Sequence, residues 1–149
     1  MPADRVGSTG LIAGVLVVCA VVLACWGVYL GATLHQHYLV RRWGLAWMGL
    51  DVAEAAALLG TALLLWRRSV FAALAAASTS TLFLVDAWFD VVTSKQGVDN
   101  AMALGLAIFA ELPLSVFCAV VAVRVARGGA VRSAKQRQQR PQGTDARPA

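Results

Sequence analysis

Apolar residues fill four long runs of this chain, and polar residues gather in the short gaps between them and at the two ends. The first run, "LIAGVLVVCAVVLACWGVYLGATL", covers residues 11–34 and holds no acid or base. The second covers 43–66, with Trp43 and Trp66 at its ends; the third covers 69–92 and the fourth 101–123. Crossing a hydrocarbon layer of about 30 Å takes about 20 apolar residues, and each run spans about 35 Å as a helix. Terminal Trp residues suit the two aromatic belts of a bilayer. The pattern predicts an all-α polytopic membrane protein, a four-helix transmembrane bundle. Four helices of this length in water would have no means of burying apolar surface on every side.

Composition sharpens this reading. Hydrophobic residues make up 59% of the 149 and charged ones 14%, against about 25% charged in soluble domains. Little chain remains outside the spans: residues 1–10, two short loops, the 67–68 turn and a tail over 124–149. The tail is rich in Arg, Gln, Gly and Pro without a periodic apolar face, so it is expected to be largely disordered. Four crossings put Arg5, Arg67, Arg68 and seven tail cations on one side, ten in all, against Arg41, Arg42 and Lys95 on the other. The positive-inside bias then places both termini in the cytoplasm of a plasma-membrane protein. Juxtamembrane cations attract anionic lipid headgroups by about 1 kcal/mol each, which makes the bilayer surface the expected partner of the tail. No aromatic residue interleaves those charges for base stacking, and no nucleic acid is expected.

Five acids interrupt the apolar runs. Asp51 and Glu54 lie in "LDVAEAAALLGTALLLW", Asp86 and Asp90 in "LFLVDAWFDVVTS", and Glu111 in "FAELPLSVFCAV". Counted from the nearer external end, Asp51 is about 12 Å deep, Glu54 about 16 Å, Glu111 about 15 Å, Asp86 about 9 Å and Asp90 about 3 Å. No Lys or Arg shares that depth. Spacings of three and four put Asp51 with Glu54, and Asp86 with Asp90, on shared faces. Ala107, Glu111, Ser115, Cys118 and Ala122 form a stripe of mostly small residues, and Gly49, Ala53, Ala57 and Gly60 a second ridge. Small residues let transmembrane helices approach closely, so both faces are expected to look inward.

An acid at the centre of a span costs about 2.5–3.5 kcal/mol, and a set of neighbouring acids titrates jointly. One reading is a cluster that binds protons or a cation for transport; four helices form so thin a wall that conduction implies a homo-oligomer. The other is a membrane scaffold or adaptor in which the acids join Thr61, Ser78, Thr79, Ser115 and Thr93 in a structural hydrogen-bond network. Pro113 lacks the N–H that the Phe109 carbonyl would accept, which marks a candidate hinge beside Glu111. His35 and His37 stand at the external end of the first run, placed for a relay or for simple solvation.

Other chemistry is sparse. Cys19, Cys25 and Cys118 all lie within apolar runs without a CxxC pair, so neither a disulfide nor a zinc site is expected. "VLAC" ending at Cys25 looks like a lipoprotein cleavage box, but "WGVYLGATL" continues the run past it, as a retained span would. No HExxH, GxSxG or phosphate loop is present, so neither an enzyme nor a cofactor is expected. Glu54 and Arg67 are thirteen residues apart, as are Glu111 and Arg124, and a shift of 57 superposes the pairs, as an internal duplication would. "WMGLDVAEAAALLGTALLL", "LFLVDAWFDVVTS" and "AELPLS" resemble a group of small bacterial four-span integral membrane proteins over residues 43–123. That resemblance implies the membrane class and no mechanism.

Overall fold

The computed structural model describes residues 3–33, 43–95 and 97–139, all of them in helices or the turns between them. Helix α1 runs Ala3–Thr33, α2 Trp43–Trp66, α3 Ala72–Thr93, α4 Val98–Leu106 and α5 Leu112–Gln139. A π-helical turn, Ala107–Glu111, joins α4 to α5 without interruption. Four helical segments, Thr9–Tyr29, Ala46–Trp66, Ala72–Thr93 and Val98–Val131, are long and apolar enough to cross a membrane. By length and composition this is a multi-pass membrane protein. His35, His37, Arg41 and Arg42 lie outside the described residues, as does 140–149.

Helix α1 starts at Ala3 rather than 11 and the fourth helix at Val98 rather than 101; two further boundaries differ from the sequence reading. Helix α3 starts at Ala72 rather than 69, because 67–71 is consumed by the turn that reverses the chain. There the Ser69 N–H donates to the Leu64 carbonyl at 2.9 Å and the Arg68 N–H to Leu65 at 3.0 Å. That 6→1 and 5→2 pair is a Schellman cap, which requires a left-handed residue. Arg68 supplies it with φ 51°. Ser69 Oγ then accepts from the Phe71 N–H at 3.2 Å, a side-chain turn that leads into α3. A side chain in the left-handed region costs about 1 kcal/mol relative to glycine. Arg68→Gly is therefore expected to raise detergent stability by up to about 1 kcal/mol, read from thermal unfolding, while removing one cation from this turn.

The second difference is the tail. The helix that carries the fourth span continues to Gln139, where 124–149 is read from sequence as largely disordered. Ala, Arg, Gln and Lys are good helix formers, and a helix already nucleated inside a membrane adds residues without a second nucleation cost. The absence of an apolar face shows instead as exposure of the described side chains beyond Arg124, apart from half-buried Val125 and Gly128.

Antiparallel order follows from which residues meet. Gly27 of α1 lies on Asp51 of α2, Thr61 of α2 bonds Thr79 of α3, and Ser80 of α3 bonds Ser115 of α5. At the far end Asn100 donates to the Val91 carbonyl and to Ser94 Oγ, tying α4 to α3. Backbones pack α1 on α2, α2 on α3 and α3 on α5; among described residues no Cα of α1 comes within 8 Å of α3, α4 or α5. Side chains close that wider seam: Leu16 and Ala20 share one core with Leu58, Ala62, Leu65, Ala72, Ala76, Phe83, Cys118 and Val121. Cys19 and Cys118 are free thiols in electrostatic reach across it. A disulfide needs Cα atoms within about 7 Å, so the seam is too wide for one.

The outside of the bundle is apolar. Leu11, Val18, Val22, Val28, Leu74, Trp88, Phe109 and Val116 are all more than half exposed, while the buried set includes Glu54, Asp86 and Glu111. Apolar surface outside with acids inside inverts the arrangement of a water-soluble protein and suits lipid as solvent.

Candidate functional site

Helices α2, α3 and the π turn each turn one acidic face inward, and the bundle is layered. At the 67–71 end lies most of the apolar core. Above it come two hydroxyl pairs, then Leu58 and Phe83, and above those, toward Ser94, the carboxylates.

On α2 the buried face is Glu54, Leu58, Thr61 and Leu65, spaced as one helix stripe. Trp47 and Asp51 extend it outward, both half-buried. Of the expected inward ridge, Gly49 and Ala53 are exposed while Ala57 and Gly60 are half-buried, and Gly49 and Gly60 have open space where a Cβ would stand. That ridge lies one residue, hence about 100°, around the helix from the acid face, and the acid face is the one the neighbours cover. On the fourth span the expected stripe holds: Ala107, Glu111, Ser115, Cys118 and Ala122 are all buried.

Glu111 closes the π turn. The Leu112 N–H reaches back five residues to the Ala107 carbonyl, one residue farther than in an α-helix, one position before Pro113. Proline withholds an N–H and its ring crowds the carbonyl four residues earlier; the wider turn accommodates both. Such insertions are frequent at functional sites. The candidate hinge is thus a widened turn that keeps Glu111 on the face of Ser115.

Burial of the five acids is graded. Glu54 is 0% exposed, Asp86 6% and Glu111 8%, whereas Asp51 and Asp90 are half-buried at the rim. Glu54 is within electrostatic reach of Asp86, Asp51, Glu111 and Asp90, so the structure brings all five predicted residues together. Among the described residues, no Lys, Arg or His is one of the charges reaching Glu54, Asp86 or Glu111. Asp90 and Glu111 lie within hydrogen-bonding reach of one another. Two carboxyl groups can share a hydrogen bond only when one carries a proton.

The hydroxyls do not serve the acids. Thr61 and Thr79 bond each other at 3.0 Å, and Thr79 also donates to the Ala75 carbonyl. Ser115 donates to the Ser80 carbonyl at 2.8 Å and its Oγ lies 3.2 Å from Ser80 Oγ. Ser78 is exposed, and Thr93 donates to Phe89 of its own helix. Both oxygens of Glu54, Asp86 Oδ1 and Glu111 Oε2 are left without a hydrogen-bond partner. Buried polar atoms are ordinarily paired, and an unpaired one costs about 1–3 kcal/mol.

Two features escape the sequence. Ser80, not Ser78, is the partner of Ser115. Gly27 is the other: a Cβ there would stand 3.0 Å from Asp51 Oδ2 and 3.3 Å from Asp51 Cβ, so its lack of a side chain lets α1 lie against the acid. Among the described residues no three His, Cys, Asp or Glu side chains form a group able to hold a metal ion. Trp88 and Phe89, both exposed, meet edge to face at 5.1 Å beside Asp90, where interfacial aromatics anchor a span. Compared with protein-family models, curated proteins and solved structures, the chain matches none.

Proposed function

We propose that this protein is a proton-linked transport component of the plasma membrane, with both termini cytoplasmic and its carboxylate cluster as the proton-binding site. One observation carries the reading: Glu54 is fully buried with both oxygens unpartnered, beside Asp86 and Glu111 and, among the described residues, without a counter-cation in reach. Structural polar networks satisfy their members. Here the hydroxyls are occupied with each other and with backbone, which counts against the scaffold reading. A proton suits the site better than a metal ion, which needs several converging oxygen ligands. The gradient from half-buried Asp51 and Asp90 to buried Glu54 gives protons an entry at the 94–97 end. Leu58 and Phe83, both essentially inaccessible, close the way onward. Translocation therefore requires a second conformation, with the π turn as the element to rearrange, or a path completed by another copy of the chain.

The test is proton flux in liposomes containing the purified full chain and an internal pH dye, with a proton gradient applied and sodium, potassium or magnesium varied outside. Flux that collapses in Glu54→Gln and is indifferent to the cation is expected; no flux above empty liposomes would overturn the transport role. Orientation is tested separately. A cysteine replacing Asp99, which is exposed at the start of α4, is expected to react with impermeant maleimide from outside intact cells. Reaction only after cell rupture would place the termini outside.

A further inference from the structure

Near the opposite end of the bundle, α5 carries a shallow groove of about 290 Å³ lined by Ala119, Val120, Val123, Arg124 and Arg127. We propose that this groove binds one anionic phospholipid, its phosphodiester between the two guanidinium groups and an acyl chain along the two valines. The proposal is independent of the carboxylate cluster.

Spacing and depth both support it. Residues 120, 123, 124 and 127 share one helix face, and side chains three or four apart are about 5–6 Å from one another. Val120 and Val123 are exposed in a region of lipid-facing side chains. Counted from Ala101, Arg124 is about 35 Å along the helix, just beyond a hydrocarbon layer of about 30 Å. The valines therefore lie in hydrocarbon and the arginines at phosphate level. Planar guanidinium groups favour bidentate contact with phosphate oxygens.

Charge complementarity names the occupant. Arg124 and Arg127 are exposed, and the nearest acid on their helix, Glu111, is about 20 Å away along the axis and engaged with the other acids. The adjacent Arg67–Arg68 turn is also cationic and exposed. No carboxylate whose side chain is described lies at this end, and two exposed guanidinium groups at phosphate depth suit an anion from outside the fold. The apolar half of the groove selects a lipid over a soluble anion.

The full chain is reconstituted in phosphatidylcholine nanodiscs containing phosphatidylglycerol, then released, and retained lipid is counted by native mass spectrometry. One tightly held phosphatidylglycerol per chain is expected. Arg124→Gln with Arg127→Gln should weaken it by about tenfold to thirtyfold, at about 1 kcal/mol per cation. Arg140→Gln with Arg147→Gln, which removes the same net charge, should leave it in place. Arg124→Lys with Arg127→Lys keeps charge but loses the planar fork, and should weaken retention by a smaller factor. Helical circular dichroism checks that each variant is folded. Equal retention in the Arg124/Arg127 and Arg140/Arg147 glutamine variants would overturn the proposal, as would displacement by millimolar inorganic phosphate, which would mark a soluble-anion site.

Discussion

Replacing Glu54 with Gln is expected to leave the bundle folded while removing most of its reaction with a hydrophobic carbodiimide. Such reagents partition into lipid and attack only protonated carboxyl groups, so modification of the wild-type chain should fall as pH rises. Glu54 is the most buried acid of the cluster, out of reach of water-soluble reagents but close to hydrocarbon. Peptide mapping should place most of the label on Glu54, with minor label on Glu111, and Glu54→Gln should reduce the total roughly tenfold, a factor equivalent to about 1.4 kcal/mol. A second substitution separates function from packing. Glu54→Met keeps similar volume and removes two unpartnered polar atoms, so it is expected to stabilise the protein in detergent by about 1–3 kcal/mol. An acid kept at a cost to stability is what a working group looks like. If Glu54→Met instead destabilises by a similar amount, the carboxyl is a structural element and the proton-binding role falls with it.

The acid cluster was legible because charge inside a span is rare, and spacings of three and four assign acids to faces without a structure. The α5 stripe was legible for a related reason: Ala107, Glu111, Ser115, Cys118 and Ala122 all fall within a narrow sector, and all are buried. On α2 two small or polar stripes lay one residue apart. Hydropathy cannot choose between them in a helix that is apolar all round, and only the covering helices decided for Glu54, Leu58 and Thr61. Thr79 and Ser80 pose the same problem in another form, since adjacent hydroxyls face different neighbours, Thr61 and Ser115. Pro113 announced a freed carbonyl but not how the backbone would respond; a bend and a π turn both relieve that clash. The helical tail is hidden because a missing apolar face points to disorder, whereas a helix continuing out of a span inherits its nucleus.

Gly27 carried no signal among the glycines of α1, yet it yields the other large expected effect. A leucine there should loosen α1 from α2 and destabilise the bundle by about 1–3 kcal/mol, the usual range for overpacking. Alanine is the finer probe, because its Cβ meets two kinds of atom. Asp51 Oδ2 at 3.0 Å is the end of a side chain that can rotate away; Asp51 Cβ at 3.3 Å is fixed to the α2 backbone. The strain of Gly27→Ala is offset by about 1 kcal/mol of better helix propensity, so its net effect should be within about 1 kcal/mol of zero. Combining it with Asp51→Ala removes Oδ2 but leaves Cβ in place. The pair should then be more stable than the sum of the single changes by about 0.5–1 kcal/mol, a coupling that only direct contact produces. Thermal unfolding of the four proteins in one detergent measures it. Helix α1 is the element most exposed to such a change, since among its positions with described side chains only Leu16, Ala20 and Gly27 are buried. Additive behaviour in the cycle, together with a Gly27→Leu protein as stable as wild type, would mean that α1 does not lie against Asp51, and that the outer wall of the acid site is built by something else.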